Sequence, residues 1–275
     1  LKVFADMARW GARTMRYLRL FGLFFRIGML NELEYRANFF IQVFQTILGL
    51  LVSLGGLSII FSHADNLGGW KPDELLAVVG IYFLVGGLIN LVIQPSMQKL
   101  MEDVRQGTLD FLLTKPEDAQ VLVSVRQVQI WKLVDIVLGL VVLIIAGVRM
   151  GTVITIWTAV SFVLMLLAGA IIIYSFWLIL ATFTFWFVKI DNILVIFQSM
   201  YEAGRWPVSI YPAWLRVILT FIVPVAFAVT IPAEAAVGRL TPVMLLGGLA
   251  LAAAMLIFSR WFWRFGIKRY SGASA

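Results

Sequence analysis

Glu202 and Arg205 stand three residues apart, with Gln198 four before Glu202, so one helical face can carry an acid, a base and an amide. They lie in an otherwise apolar stretch, where an unpaired charge at mid-membrane depth costs roughly 2.5–3.5 kcal/mol on insertion scales. The chemistry open to them is a structural ion pair at the base of a hairpin, a gate, or a wet interfacial surface. A second set is polar and neutral. Gln42, Gln45, Thr46, Gly49 and Ser53 recur at helical spacing, and Gly80, Gly87, Asn90 and Gln94 repeat the pattern further on. Such faces either meet another helix or line a water-filled path, and their small residues also let helices pack closely. Both readings stay open. A third set reads as a recognition surface. Glu102, Arg105 and Asp110 can set register by charge, beside Leu109, Phe111, Leu112 and Leu113 as apolar anchors for a partner's groove.

Other chemistries lack their residues. The chain has no cysteine and one histidine, His63 near Asp65; disulfides, thiol nucleophiles and histidine-rich metal centres are not expected. No serine–lysine or histidine–carboxylate constellation points to an intramembrane enzyme, and no catalytic residue is assigned. No Gly-x-x-x-x-Gly-Lys-Ser/Thr loop occurs, so this chain is not expected to hold ATP or any other cofactor itself. A net charge of +7 reads against membrane sidedness, since no basic stripe with interleaved aromatics suggests nucleic acid.

The elements that position these residues are membrane helices. Hydrophobic residues make up 61% of the 275 and charged residues 13%, half the charge of a typical soluble domain. Apolar runs near the ~20 residues needed to cross hydrocarbon fall at about 37–61, 75–94, 130–148, within 157–188, at 193–206 and at 242–262. The fold class expected is an all-α membrane protein with six transmembrane helices. Pro95 is expected to stop the second, leaving a charged island over 95–129 with a short amphipathic helix ended by Pro116. Prolines at 207, 212, 224 and 232 argue against a straight span there. The better reading is a re-entrant hairpin over 207–241 packed against protein; the alternative is an ordinary span over 215–231 kinked by Pro224.

Residues 1–36 set Arg9, Arg13 and Arg16 on one face against bulky apolar residues, the pattern of an interfacial elbow helix. Residues 263–275 form a basic tail. Seventeen of the 22 lysines and arginines lie in the first 36 residues, the stretch from the island to Lys132, Lys189 and the tail, and five lie elsewhere. That asymmetry puts both termini and the island in the cytoplasm. The aromatic clusters at 201–214 and 261–270 read as interfacial belts.

Gly107-Thr108-Leu109-Asp110, followed by Leu112-Leu113 and Pro116, resembles a signature of type-2 ATP-binding-cassette (ABC) exporter permeases. Pro207-Val-Ser-Ile-Tyr211-Pro212-Ala-Trp214-Leu215 with Pro224 is similar to that family's pattern before an extracellular re-entrant hairpin. The resemblance covers nearly the whole chain and is nearest to stand-alone bacterial permeases of the inner (plasma) membrane. It implies a coupling helix between spans two and three, contributed here by residues 102–116. It also implies a separate cytoplasmic ABC ATPase in two copies carrying ATP and Mg, and a second permease, identical or homologous. Gln42, Gln45, Thr46, Ser53, Asn90, Gln94, Gln198 and Glu202 then become candidates for a substrate path for amphipathic, lipid-like or drug-like cargo. Arg205, Pro207, Tyr211, Pro212, Trp214 and Pro224 become candidates for the hairpin and gate. The rival from another class is an ion-gradient-driven secondary transporter, which would favour paired mid-membrane carboxylates and internal repeats; neither stands out here.

Overall fold

The computed structural model describes residues 22–30, 36–151, 155–187 and 191–270. Most of the expected elbow, residues 1–21 and 31–35, and the last five residues of the tail lie outside the described residues. Among those described, α1 covers 22–30, and Gly28 sits so close to the island that an added Cβ would lie 2.9 Å from the Val128 carbonyl oxygen.

Helix α2 (Arg36–Phe61) is followed by a polar loop, then α3 (Pro72–Leu88). Pro72 opens α3, and Glu74 reaches back to the Lys71 N–H at 2.8 Å, satisfying a donor that the helix leaves orphaned. Helix α3 is apolar around its whole circumference and buried from Leu75 to Gly87, the signature of a central helix.

The helix does not stop at Pro95. It passes through a π-helical turn (Ile89–Ile93) into α4 (Gln94–Gln106). Proline removes the N–H that would reach the carbonyl four residues back and crowds that carbonyl. The π turn relieves the crowding, and the freed Leu91 carbonyl accepts the Gln129 N–H at 2.8 Å. The result is one 35-residue rod, Pro72–Gln106, about 50 Å long at 1.5 Å per residue, which outruns the ~30 Å hydrocarbon core.

Gly107, at φ 70°, ends the rod. Its N–H bonds the Val104 carbonyl and the Thr108 N–H bonds the Asp103 carbonyl, the pairing that a left-handed residue permits at a helix end. The island is therefore not one amphipathic helix over 102–116. It is the end of α4, a left-handed break, the single turn α5 (Asp110–Leu113), and α6 (Ala119–Ser124), which Asp118 caps by accepting the Gln120 N–H.

Helices α7 (Leu133–Met150) and α8 (Ile156–Thr182) follow, then α9 (Asp191–Glu202), α10 (Ala213–Val217), α11 (Ile231–Ala236) and α12 (Pro242–Ile267). Helix α12 continues past the expected boundary at 262, so the tail begins as helix. Among the described residues, five helices are long and apolar enough to cross a membrane, and a bent pair, Ala213–Ile222 with Ala226–Ala236, makes a sixth candidate. The pair turns by 80° at Val223–Pro224, where the residue before proline is extended. Both ends of this pair lie at the loop that precedes α3. Trp70 Nε1 donates to Ser209 Oγ at 3.1 Å, and Arg239 bonds Glu74 at 2.6 Å. At the bend, Val225 meets Gly204. Helix α9 is extended by 3-10 turns at Ala203–Arg205 and Val208–Ile210.

The tightest seam joins α3 to α7. A Cβ on Gly139 would lie 2.5 Å from Leu84 N and 2.7 Å from Gly80 O, and one on Gly87 would lie 2.9 Å from Ile136 N. Gly80 and Gly87 thus serve backbone-to-backbone packing.

Candidate functional site

Elements α2, α3, α7 and α9 surround a cavity of about 360 Å3. Helix α2 contributes Gln42, Gln45 and Thr46, α3 contributes Tyr82 and Gly86, and the π turn contributes Asn90. Lys132 and Asp135 come from the start of α7, and Gln198, Tyr201, Glu202 and Arg205 from α9 and its 3-10 extension. Six of the eight residues expected along a path meet here; Gln94 and Ser53 do not.

The charges divide into committed and open ones. Asp135 is buried, accepts a hydrogen bond from Thr46 Oγ1 at 2.5 Å, and pairs with Lys132 at 3.0 Å. Lys132 also stands over the Trp131 ring at 4.1 Å. The Arg205 guanidinium lies 5.4 Å from the centre of the Tyr82 ring. Tyr201 stacks on Tyr82 at 5.0 Å and donates its hydroxyl to the Tyr82 carbonyl at 2.9 Å. Gly86 makes room for it, since a Cβ there would sit 3.3 Å from the tyrosine ring.

Glu202 is exposed on this chain and has no hydrogen bond or ion pair among the described residues. The expected Glu202–Arg205 pair does not form. Regular α-helix ends at Glu202, the next turn is 3-10, and the Tyr82 ring takes up the guanidinium.

A second cavity of about 610 Å3 opens at the island end between α4 and α9. Gln94, Gln98, Lys99, Glu102 and Arg105 line one wall, and Gln198 with Ser199 the other. Gln198 borders both cavities, so a polar column joins them. The Gln94 side-chain oxygen is buried there without a partner among the described residues.

Below the column the island is a braced unit. Asp103, 2% exposed, accepts from Arg126 and from Thr108 Oγ1 at 3.2 Å, and lies 3.4 Å from Lys99. Ser96 Oγ exchanges two 3.1 Å hydrogen bonds with the Gln127 backbone. Asp118 pairs with Arg260 of α12, Arg260 also donates to Gln120 at 2.6 Å, and Gln120 with Ser124 holds the Tyr174 hydroxyl of α8. The Arg260 hydrogen bond holds the Asp118 carboxyl below its ordinary range against partial desolvation, helped by the Arg260 charge and the Gln120 and Val121 backbone.

A family profile described as ABC-2 family transporter protein matches residues 47–274. The chain belongs to that family. It is an ABC-2 permease, a membrane transporter component and not itself a catalytic enzyme. Searches of curated proteins and of solved structures found no match.

Within the permease, the island residues separate. Leu109 is 0% exposed and Leu112 5%, so both anchor the island to its own core and are not free for a partner's groove. Phe111 is 74% exposed, and Arg105 and Pro116 are also exposed. Four-residue α5 turns the leucines inward, and helical period alone does not say which face of so short a turn looks out. Leu113 and Asp110 are half-buried, and Glu102 binds Lys99 and Gln106 at 3.0 and 2.9 Å.

The hairpin residues also divide. Pro207 and Pro224 are buried, Pro212 is exposed and Trp214 is 66% exposed. Tyr211 donates its hydroxyl to the Ala203 carbonyl at 2.9 Å. Ser53 turns back on the Gly49 carbonyl at 2.8 Å, as helical serines do. The sequence reading missed Tyr82, Tyr201 and the partnership of Asp135 with Thr46. Tyr201 is a buried cavity wall, not a belt residue; the glutamine four positions before Glu202 was the available signal for its face.

Proposed function

We propose that the permease is the membrane half of an ATP-driven exporter of amphipathic, lipid-like or drug-like cargo. A separate cytoplasmic ATPase in two copies binds ATP and Mg, and a second permease, identical or homologous, closes the path. The complex lies in the bacterial inner membrane with both termini and the island in the cytoplasm, as the lysine and arginine asymmetry suggests.

One observation carries this reading: the rod Pro72–Gln106 joins the braced island directly to the cavity. An ATPase that docks on Phe111, Arg105 and neighbouring charges pushes a unit fixed by Asp103–Arg126 and Asp118–Arg260. The push reaches Tyr82 and Asn90 along one helix, with the π turn as its joint. Nucleotide then shifts access only because the docked and free states differ in contacts.

The test is transport in inside-out vesicles containing the ATPase and permease together. Efflux requires ATP, and Phe111→Asp abolishes it while the folded amount of permease is unchanged. Transport that runs on an ion gradient without ATP overturns the reading, as does full ATP-driven transport by the Phe111 variant.

A further inference from the structure

We propose that the 360 Å3 cavity is selective for a cationic amine headgroup, with Glu202 as its counter-charge. This rests on the exporter reading and gives its substrate a chemical class.

The argument begins with which charges are already satisfied. Of the four charged groups on the cavity wall, Lys132 and Asp135 form an ion pair, while Arg205 and Glu202 form none among the described residues. Lys132 and Asp135, from α7 and the turn before it, neutralise each other at 3.0 Å, with Thr46 on the second carboxylate oxygen. Arg205 lies over the Tyr82 ring. Helix α2 and the π turn supply amides, not charges. Arg205 is held against the Tyr82 ring, whereas Glu202 is exposed with no hydrogen bond or ion pair among the described residues. A ligand cation gives that carboxylate a counter-charge; a ligand anion is repelled by it.

The neutral wall agrees. Gln42, Gln45, Asn90 and Gln198 bring four amide oxygens, each able to accept from an ammonium N–H. Tyr82 and Tyr201 close one side as stacked rings, 5.0 Å between centroids, with Arg205 already over Tyr82. About 360 Å3 is a dozen water volumes, room for a headgroup and a few carbons but not a long chain. The chain has a place to go, because α2 exposes Phe40, Phe44, Leu48 and Leu51 beside the cavity residues. The cargo class is an amphiphile with an ammonium or guanidinium head and an apolar tail.

The test uses the full permease with its ATPase in zwitterionic-lipid nanodiscs, titrated with dodecylamine, dodecanol and dodecyl sulfate. Dodecylamine binds saturably and more tightly than either chain-matched probe. Glu202→Gln weakens amine binding about tenfold or more and leaves dodecanol binding unchanged, while Glu202→Asp restores most of it. Equal binding of the three probes, or undiminished amine binding by Glu202→Gln, overturns the inference. ATP-driven transport that persists with no amine preference defeats this inference alone. Amine selectivity in a permease that needs no ATP defeats the exporter reading alone.

Discussion

The α3–α7 seam and the cavity beside α9 are built from the same kind of sequence, small and polar residues recurring along apolar helices, yet they do opposite things. At the seam, Gly80, Gly87 and Gly139 bring two backbones into contact and leave no space. At the cavity, Gln42, Gln45, Asn90 and Gln198 hold helices apart around a void. Helix α3 takes part in both, with Gly80 and Gly87 turned to α7 and Tyr82 and Gly86 turned to α9. A polar or small residue in a membrane helix therefore marks a non-lipid neighbour, and the facing element decides whether that neighbour is backbone or water.

The largest effect expected is at the seam. Gly139→Val places new carbon atoms against Leu84 N and Gly80 O, and should cost about 3 kcal/mol, at the upper end of overpacking penalties. Thermal unfolding of the purified permease measures it. Next comes the fixed pair in the cavity wall. Asp135→Asn strips Lys132 of its counter-charge and should cost about 2 kcal/mol, whereas Glu202→Gln, which breaks no bond, should stay within about 0.5 kcal/mol of the parent.

Gly49 lines the cavity, and an added Cβ there meets nothing within 4 Å. Gly49→Ala should be tolerated or stabilise by up to about 1 kcal/mol through helix propensity, in contrast to any seam glycine. The smallest effect is at the island's outer brace. The Asp118 carboxyl is held low by Arg260, so its stabilising bridge is fully present above the ordinary aspartate pKa of about 3.9. It is lost only as pH falls through the lower folded value. Acid titration of the unfolding midpoint should show a loss of about 0.5 kcal/mol for so open a pair, absent in Asp118→Asn.

Much of this was legible from the residues. Apolar run lengths gave the long helices, the four prolines after Trp206 gave the bent pair, and the glutamine spacing gave the cavity face. What escaped depended on contacts distant in sequence. Pro95 breaks a helix by local rules, but Gln129, 38 positions beyond Leu91, supplies the missing donor. Leu109 and Leu112 look like free anchors until α5 is seen to turn them inward. Glu202 and Arg205 are spaced to pair, yet the switch to a 3-10 turn and the Tyr82 ring separate them. The second-span glycines carried no sign of which helix they would meet.

Because the chain has no native cysteine, single-cysteine labelling decides the central claim, that the α9 face bounds a wet path. Glu202→Cys and Gln198→Cys, in permease assembled with its partners in membranes, should react readily with a water-soluble thiosulfonate added from the island side. Ala77→Cys, on the fully buried part of α3, should stay unlabelled. If the Glu202 and Gln198 variants prove as inert as the Ala77 variant, that face is dry packing and the path is not there.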